Sequence, residues 1–147
     1  MKTLIIILII ASFIQTTILP IDLVLLILIC RSYIKSDCAN LYLAFFFGIF
    51  ISHLNLASIG FQSLIYLSSV ETTEILSKLR LAGNPLLIVP LAFFLITLSQ
   101  FANSILGHSS FEFSKAIFAC FLSLPVLLLV RLWEERFIVR KEIKLKM

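Results

Sequence analysis

The sequence contains little charge and almost no histidine. Asp, Glu, Lys and Arg make up 14% of the 147 residues, and the chain has two histidines. A soluble domain needs enough polar surface, and charged side chains provide most of it because they are mostly exposed to water. The low charge therefore argues against an ordinary soluble domain.

Cysteine is also scarce, and its spacing forms no motif. Cys30, Cys38 and Cys120 are an odd number, make no CxxC pair, and lie in or beside apolar runs. We interpret them as inert thiols rather than as metal ligands or redox sensors.

Apolar residues dominate what is present. They make up 61% of the chain, with a mean hydropathy of +1.11, against about 45–50% in soluble domains. This composition predicts an integral membrane protein. No A-x-A-like cleavage site follows the apolar start of the chain after Lys2, so we interpret that start as a retained first span rather than a signal peptide.

Charged residues, proline and glycine divide the apolar sequence into six runs. The runs cover residues 3–19, 21–30, 38–54, 56–70, 85–106 and 113–133. A spanning helix needs about 20 residues, with about 17 as the lower end, so several runs are marginal. We predict an all-α, polytopic fold of six short transmembrane helices over residues 1–133, followed by a basic cytoplasmic tail over residues 134–147.

The distribution of basic residues supports six spans. If both termini are cytoplasmic, eleven of the twelve Lys and Arg residues fall in cytoplasmic segments, and Lys115 alone lies in an exported turn. A five-span arrangement that fuses the first two runs across Pro20 would place Lys2 outside and break this pattern. Six of the basic residues lie from Arg131 onward, which favours a tail beside anionic headgroups over nucleic-acid binding. We therefore expect a multi-pass protein of the cell membrane.

The polar residues 52–55 suggest catalysis at first sight. Ser52 and His53 are adjacent, but adjacent residues on a helix do not face each other. The chain also has no GxSxG elbow. His53 and His108 are both expected on the exported side, but they form neither an HxxxH nor an HExxH motif. We predict no enzyme, no metal and no cofactor, with both histidines at helix ends.

The few acids near the spans have ordinary explanations. Asp22 follows Pro20 and is expected to cap the second helix, rather than to mark an ion path. Glu74 and Lys78 have the i,i+4 spacing of a solvated helical pair in a charged cytoplasmic turn. A docking surface for a cytosolic partner is the alternative for that turn.

The fifth run carries a stripe of small and polar residues on one helical face. Its members are Thr97, Gln100, Asn103, Ser104 and Gly107. Such residues pack against another helix in lipid, where backbones can approach and amides can form hydrogen bonds. The stripe predicts an interface, either within this bundle or with a partner's helix.

The stretch LAFFFGIFISHLNLASIGFQSL resembles the central signature of the rod shape-determining MreD family, G-L-L-x-D-L-x-x-G-x-P-L-G. Gly48 and Gly60 stand twelve apart, as the outer glycines of the family do. Ser52 falls on the family's acidic position and Ser58 on its proline. The stretches PIDLVLLILICRSYI and SLPVLLLVRLWEERF, the latter containing Pro125, are similar to the family's second and terminal spans.

The resemblance implies a non-enzymatic membrane scaffold of the bacterial cell-elongation machinery. Such a scaffold associates with an MreC-like bitopic protein and, through it, with MreB-like filaments and peptidoglycan synthases. If the family's acid contributes to partner binding, this chain has lost that function or transferred it to His53 or Asn55. The candidate structural and interface residues are Gly48, Ser52, His53, Asn55, Gly60, Gln100, Asn103 and Pro125.

The MreD family is also similar in fold to the substrate-binding S components of energy-coupling-factor transporters. This similarity implies an alternative function, in which the chain binds a small molecule such as a vitamin. Its site would be an exported-side pocket lined by His53, Asn55, Gln100 and Asn103.

Overall fold

The computed structural model describes residues 2–18, 21–55, 60–78, 85–105 and 112–145, and this part of the chain is all-helical. The helices are α1 (Lys2–Thr17), α2 (Leu23–Ile34), α3 (Cys38–Leu54), α4 (Phe61–Lys78), α5 (Ile88–Ile105) and α6 (Phe113–Leu145), with a short 3-10 helix at Pro85–Leu87 before α5. The predicted all-α class and the number of six helices are confirmed.

Helix α2 forms the centre of the bundle. It packs against α1, α3, α4, α5 and α6, and Leu25, Leu28 and Ile29 on it are fully buried. Its sequence LVLLILIC is apolar on every face, which is typical of a helix surrounded by protein or lipid. Its 12 residues span about 18 Å, well short of a hydrocarbon core of about 30 Å.

The other helices pack around α2, and helices that follow each other in the chain run antiparallel. Helices α3 and α4 form one close pair and α5 and α6 another. The bundle therefore has two ends. The Asp22 end contains the last turns of α1, α3 and α5 and the first turns of α2, α4 and α6, whereas the Arg31 end contains the opposite termini.

Two helical segments are long and apolar enough to cross a membrane: Ile88–Ile105 and Phe113–Arg136. The apolar helices Thr3–Thr17, Leu23–Ile34 and Cys38–Leu54 are shorter. Helix α1 ends at Thr17 and α2 begins at Leu23, so the first two apolar runs are not one fused helix. Pro20 itself lies outside the described residues.

Two helices extend beyond the apolar runs that predict them. Helix α4 continues past the expected end at Val70 to Lys78, and α6 continues past Trp133 to Leu145. Charged residues end the apolar runs in the sequence, but a helix can continue through charged residues. In α6 an i,i+4 pair joins Arg131 Nε to Glu135 Oε1 at 3.1 Å, which supports the helix there. The division of the chain at residue 133 stays a prediction, since α6 passes through it without a break.

Candidate functional site

The two glycines of the resemblance have different structural roles. A Cβ placed on Gly48 would collide with the Cα of Ser63 and come within 2.8 Å of its Cβ. Gly48 therefore allows α3 and α4 to pack backbone against backbone. Gly60 has open space around it but a φ of +102°, in the region that side chains disfavour. It forms the turn that starts α4.

The polar residues between these glycines point in different directions. Ser52 is 1% exposed, and its hydroxyl has no hydrogen-bond partner among the described residues. His53 and Asn55 are exposed at the end of α3. Asn55 ends the helix with its own backbone N–H, which donates to the carbonyls of Ile51 and His53. Ser52 and His53 are therefore not brought together, whereas His53 and Asn55 share one exposed terminus.

The stripe on α5 is partly buried. Gln100 and Asn103 are half-buried, and the Gln100 Oε1 atom is buried without a partner among the described residues. Gly107 lies outside those residues. Helix α5 packs mainly on α6, α2 and α4, whereas α3 packs on α4, α2 and α1. Helices α3 and α5 thus share α2 and α4 as neighbours but do not pack closely on each other, so the contacts do not bring the stripe to the α3 terminus.

Pro125 lies inside α6 with an exposed ring, and the helix continues through it. Proline has no N–H, so it removes one helical hydrogen bond, to the carbonyl of Phe121. The structure gives Pro125 no contact that points to a ligand.

Asp22 does not cap α2 as expected. It occupies the N-cap position, but its carboxylate makes no cap hydrogen bond. Gln15 at the end of α1 takes over this task, because its Oε1 accepts a hydrogen bond from the Val24 N–H at 3.1 Å. The carboxylate of Asp22 lies instead inside the bundle, beside the Ser99 hydroxyl of α5.

Burial raises the pKa of Asp22 to about 6, although the nearby Lys115 ammonium and the Ser99 hydroxyl lower it. Part of the residue surface of Asp22 is exposed, but the pKa reflects the carboxylate, which is surrounded by protein. Lys115 also forms an ion pair with Glu112 at 3.2 Å on the bundle surface. Asp22 therefore shares its nearest cation with another carboxylate.

The hydroxyl of Tyr66 completes this group. It lies close to the amides of Gln15 and Gln62 and to the charge of Asp22. Tyr66 is 0% exposed, yet its hydroxyl makes no hydrogen bond of ordinary geometry to a described residue, and the same is true of Ser99. We call Gln15, Asp22, Gln62, Tyr66 and Ser99 the Asp22 cluster.

Buried charges at the Arg31 end are paired. Arg31, expected in a cytoplasmic loop, lies inside α2 and is 4% exposed. Its Nε is 3.7 Å from Glu134 Oε1 on α6, and Glu134 is also buried. This pair joins α2 to α6, the two helices that run in the same direction.

The predicted solvated pair of Glu74 and Lys78 is wrong. Glu74 is buried and accepts hydrogen bonds from Asn40 Nδ2 at 3.1 Å and Ser36 Oγ at 3.3 Å. Asn40 also donates to the Lys35 carbonyl at 2.8 Å. Glu74 thus ties α4 to the start of α3, and the expected charged surface is partly interior.

Sequence reasoning missed the Asp22 cluster and the Arg31–Glu134 pair. Gln62 and Tyr66 have i,i+4 spacing on α4, and a single Arg follows eight apolar residues in α2. Both were usable signals. The length of an apolar run does not reveal such isolated polar residues within it.

Comparisons with known proteins give no match for the chain. No family model matches it, and no curated protein or solved structure matches it either. Among the described residues, no group of three His, Cys, Asp or Glu side chains could hold a metal ion. His108 lies outside those residues, as does Ser58 of the resemblance.

Proposed function

We propose that the chain is a multi-pass integral membrane scaffold similar to MreD, acting in bacterial cell elongation without an enzymatic activity of its own. The observation that carries the proposal is the pair of glycines. The spacing of Gly48 and Gly60 carries the resemblance, and each glycine meets a separate backbone requirement. A helix contact and a left-handed turn at these positions give the shared spacing a physical basis.

The inverted polarity of the bundle supports the membrane environment. Large apolar side chains face outward, among them Phe121, which is 77% exposed, and Phe46, which is 69% exposed. Charged and amide side chains such as Arg31, Asn40 and Glu74 are buried. Lipid favours this arrangement because polar groups in a bilayer face the bundle interior. We propose six short crossings, with the Arg31 end cytoplasmic.

The exposed end of α3 is the proposed contact with an MreC-like partner. Ser52 stands at the family's acidic position but is buried, so it cannot reach another protein. His53 and Asn55 follow it directly and are exposed. If the acid of the family binds a partner, these two side chains take over its role here. MreB-like filaments and peptidoglycan synthases would then be reached through the partner.

Co-purification from the native membrane in mild detergent tests the scaffold. We expect an MreC-like bitopic protein to be recovered with the wild-type chain, and its yield to fall about tenfold in a His53→Ala, Asn55→Ala double variant. The control is a Tyr42→Ala variant, which removes an exposed side chain at the other end of α3. Normal cell shape after depletion, together with no such partner, would exclude the function.

Labelling with a membrane-impermeant maleimide tests the orientation. Cys38 is exposed at the Arg31 end and is expected to react only from the cytosolic side. In a Cys38→Ser background, an Asn55→Cys variant should react only from outside the cell. Labelling of both positions from the same side would contradict the proposed orientation of α3.

The small-molecule carrier is the second candidate. One observation favours it: the buried Gln100 Oε1 has no partner among the described residues and is free to accept a hydrogen bond from a ligand. His53 and Asn55 are exposed at the end of α3, which does not pack closely on α5, so they give the proposed pocket less support. A vitamin that co-purifies with the chain, or saturable uptake, would favour this candidate over the scaffold.

A further inference from the structure

The Asp22 cluster collects oxygen atoms from four parts of the chain. Gln15 comes from α1, Asp22 from the link before α2, Gln62 and Tyr66 from α4, and Ser99 from α5. The Ser99 hydroxyl faces the Asp22 carboxylate, and Tyr66 lies within reach of both amides and of the Asp22 charge. Sequence-distant residues thus meet at one interior position.

Two hydroxyls of the cluster are buried without a well-formed hydrogen bond. Tyr66 is 0% and Ser99 1% exposed, and neither hydroxyl makes a hydrogen bond of ordinary geometry to a described residue. Buried polar groups normally have partners, since leaving them without one costs free energy. Two such hydroxyls near one carboxylate have oxygen atoms that are available to a further ligand.

The charge around the cluster defines the occupant. Asp22 is negative above its pKa of about 6, and the one cation that shifts it, Lys115, is paired with Glu112. Together these three groups leave one net negative charge. A single carboxylate with neutral hydroxyl and amide oxygens suits a small monovalent cation, whereas Ca²⁺ sites are built from a larger set of oxygen ligands and usually several carboxylates.

We propose that the Asp22 cluster binds one small monovalent metal cation of the size of Na⁺, held by the Asp22 carboxylate and the oxygens of Ser99 and Tyr66. The cation would neutralise the buried carboxylate and satisfy both hydroxyls. Because the ligands come from three elements, binding would hold α4 and α5 against the start of α2. This site is independent of the proposed partner contact at His53 and Asn55.

Thermal unfolding of the purified full chain in detergent tests the site. At about pH 8, well above the pKa of Asp22, NaCl should raise the unfolding midpoint by about 3–6 °C relative to choline chloride at equal ionic strength. The rise should disappear in Asp22→Asn and shrink in Ser99→Ala. Asp37→Asn and Ser68→Ala, which change residues outside the cluster, should keep it.

Binding of radioactive sodium provides a second readout that does not depend on stability. We expect saturable binding of about one Na⁺ per wild-type chain, lost in Asp22→Asn, weakened in Ser99→Ala and kept in Asp37→Asn. Equal midpoints in sodium and choline, no saturable sodium binding, or sodium binding that survives Asp22→Asn would each overturn the proposal. An effect of pH alone, without an effect of sodium, would show that a proton is the occupant and would overturn it as well.

Discussion

The two ends of the bundle differ in how their buried charges are compensated. At the Arg31 end, Arg31 has Glu134 and Glu74 has two neutral donors. At the Asp22 end, the carboxylate shares its cation with Glu112, and the hydroxyls of Tyr66 and Ser99 are unused among the described residues. The buried charges of the first end have partners within the bundle, whereas the carboxylate of the second end is only partly compensated.

This difference teaches which buried charges belong to the fold and which to function. Removing one partner of a buried ion pair destabilises the fold, because the other charge is left buried without compensation. A buried polar group that lacks a partner within the chain instead keeps its binding capacity for something else. The two ends should therefore respond differently to mutation.

The largest expected effect is at the Arg31–Glu134 pair. Replacing Glu134 by Gln should lower the free energy of unfolding by about 3–5 kcal/mol, because Arg31 then stays buried without its carboxylate. Glu135 is the neighbouring residue and pairs with Arg131 on the surface, where both side chains are more than half exposed. Glu135→Gln should cost about 1 kcal/mol or less.

Denaturant unfolding in detergent micelles measures both variants. If Glu134→Gln and Glu135→Gln have the same stability, the Arg31 end is not held by its buried pair, and the contrast between the two ends disappears.

The next effect separates the two glycines. Gly48→Ala should destabilise the bundle by about 1–3 kcal/mol, because the new methyl group collides with the backbone of Ser63 and pushes α4 away from α3. Gly60→Ala should cost about 1–2 kcal/mol through its positive φ alone, since the space around it is open.

Asparagine substitutions distinguish the steric collision at Gly48 from the backbone strain at Gly60. Gly60→Asn should recover part of the Gly60→Ala loss, because Asn tolerates left-handed φ, whereas Gly48→Asn should be worse than Gly48→Ala. The opposite order at Gly48 would mean that helix proximity is not what requires this glycine. A bulky Gly60→Leu variant is expected to impair folding or complex assembly.

A smaller effect is expected at Glu74. Glu74→Gln keeps the shape but removes the charge that strengthens the hydrogen bonds from Asn40 and Ser36, so the free energy of unfolding should fall by about 1–2 kcal/mol. Glu71 is exposed one turn earlier on α4, and Glu71→Gln should leave stability unchanged in the same unfolding measurement. Equal losses in the two variants would mean that Glu74 is solvated after all.

The sequence is enough to predict the class and number of helices, but not how α2 is surrounded. Apolar periodicity locates helices such as α3, whose predicted bounds agree with the structure. It does not show that the Glu74 side chain is buried, because Asn40, which donates a hydrogen bond to it, is 34 residues away in the chain. Asp22 illustrates the same limit. Its position before α2 predicts a cap, but the side chain of Gln15 accepts the hydrogen bond from the first turn of the helix instead. Long-range side-chain partners decide these details.

The last prediction concerns the pH dependence of the Asp22 end. Burial raises the pKa of Asp22 from 3.8 to about 6, so the folded state binds this proton more tightly than the unfolded chain does. Its contribution to stability is therefore complete below about pH 4, falls as the pH rises to about 6, and is constant above that. In choline buffer, the unfolding midpoint should drop by about 6–12 °C across this window through Asp22 alone, because the free energy of unfolding falls by about 3 kcal/mol. Asp22→Asn should remove that part of the slope, and Asp37→Asn should not. A wild-type slope that persists in Asp22→Asn would place the titrating group elsewhere and make the Asp22 end as fully compensated as the Arg31 end.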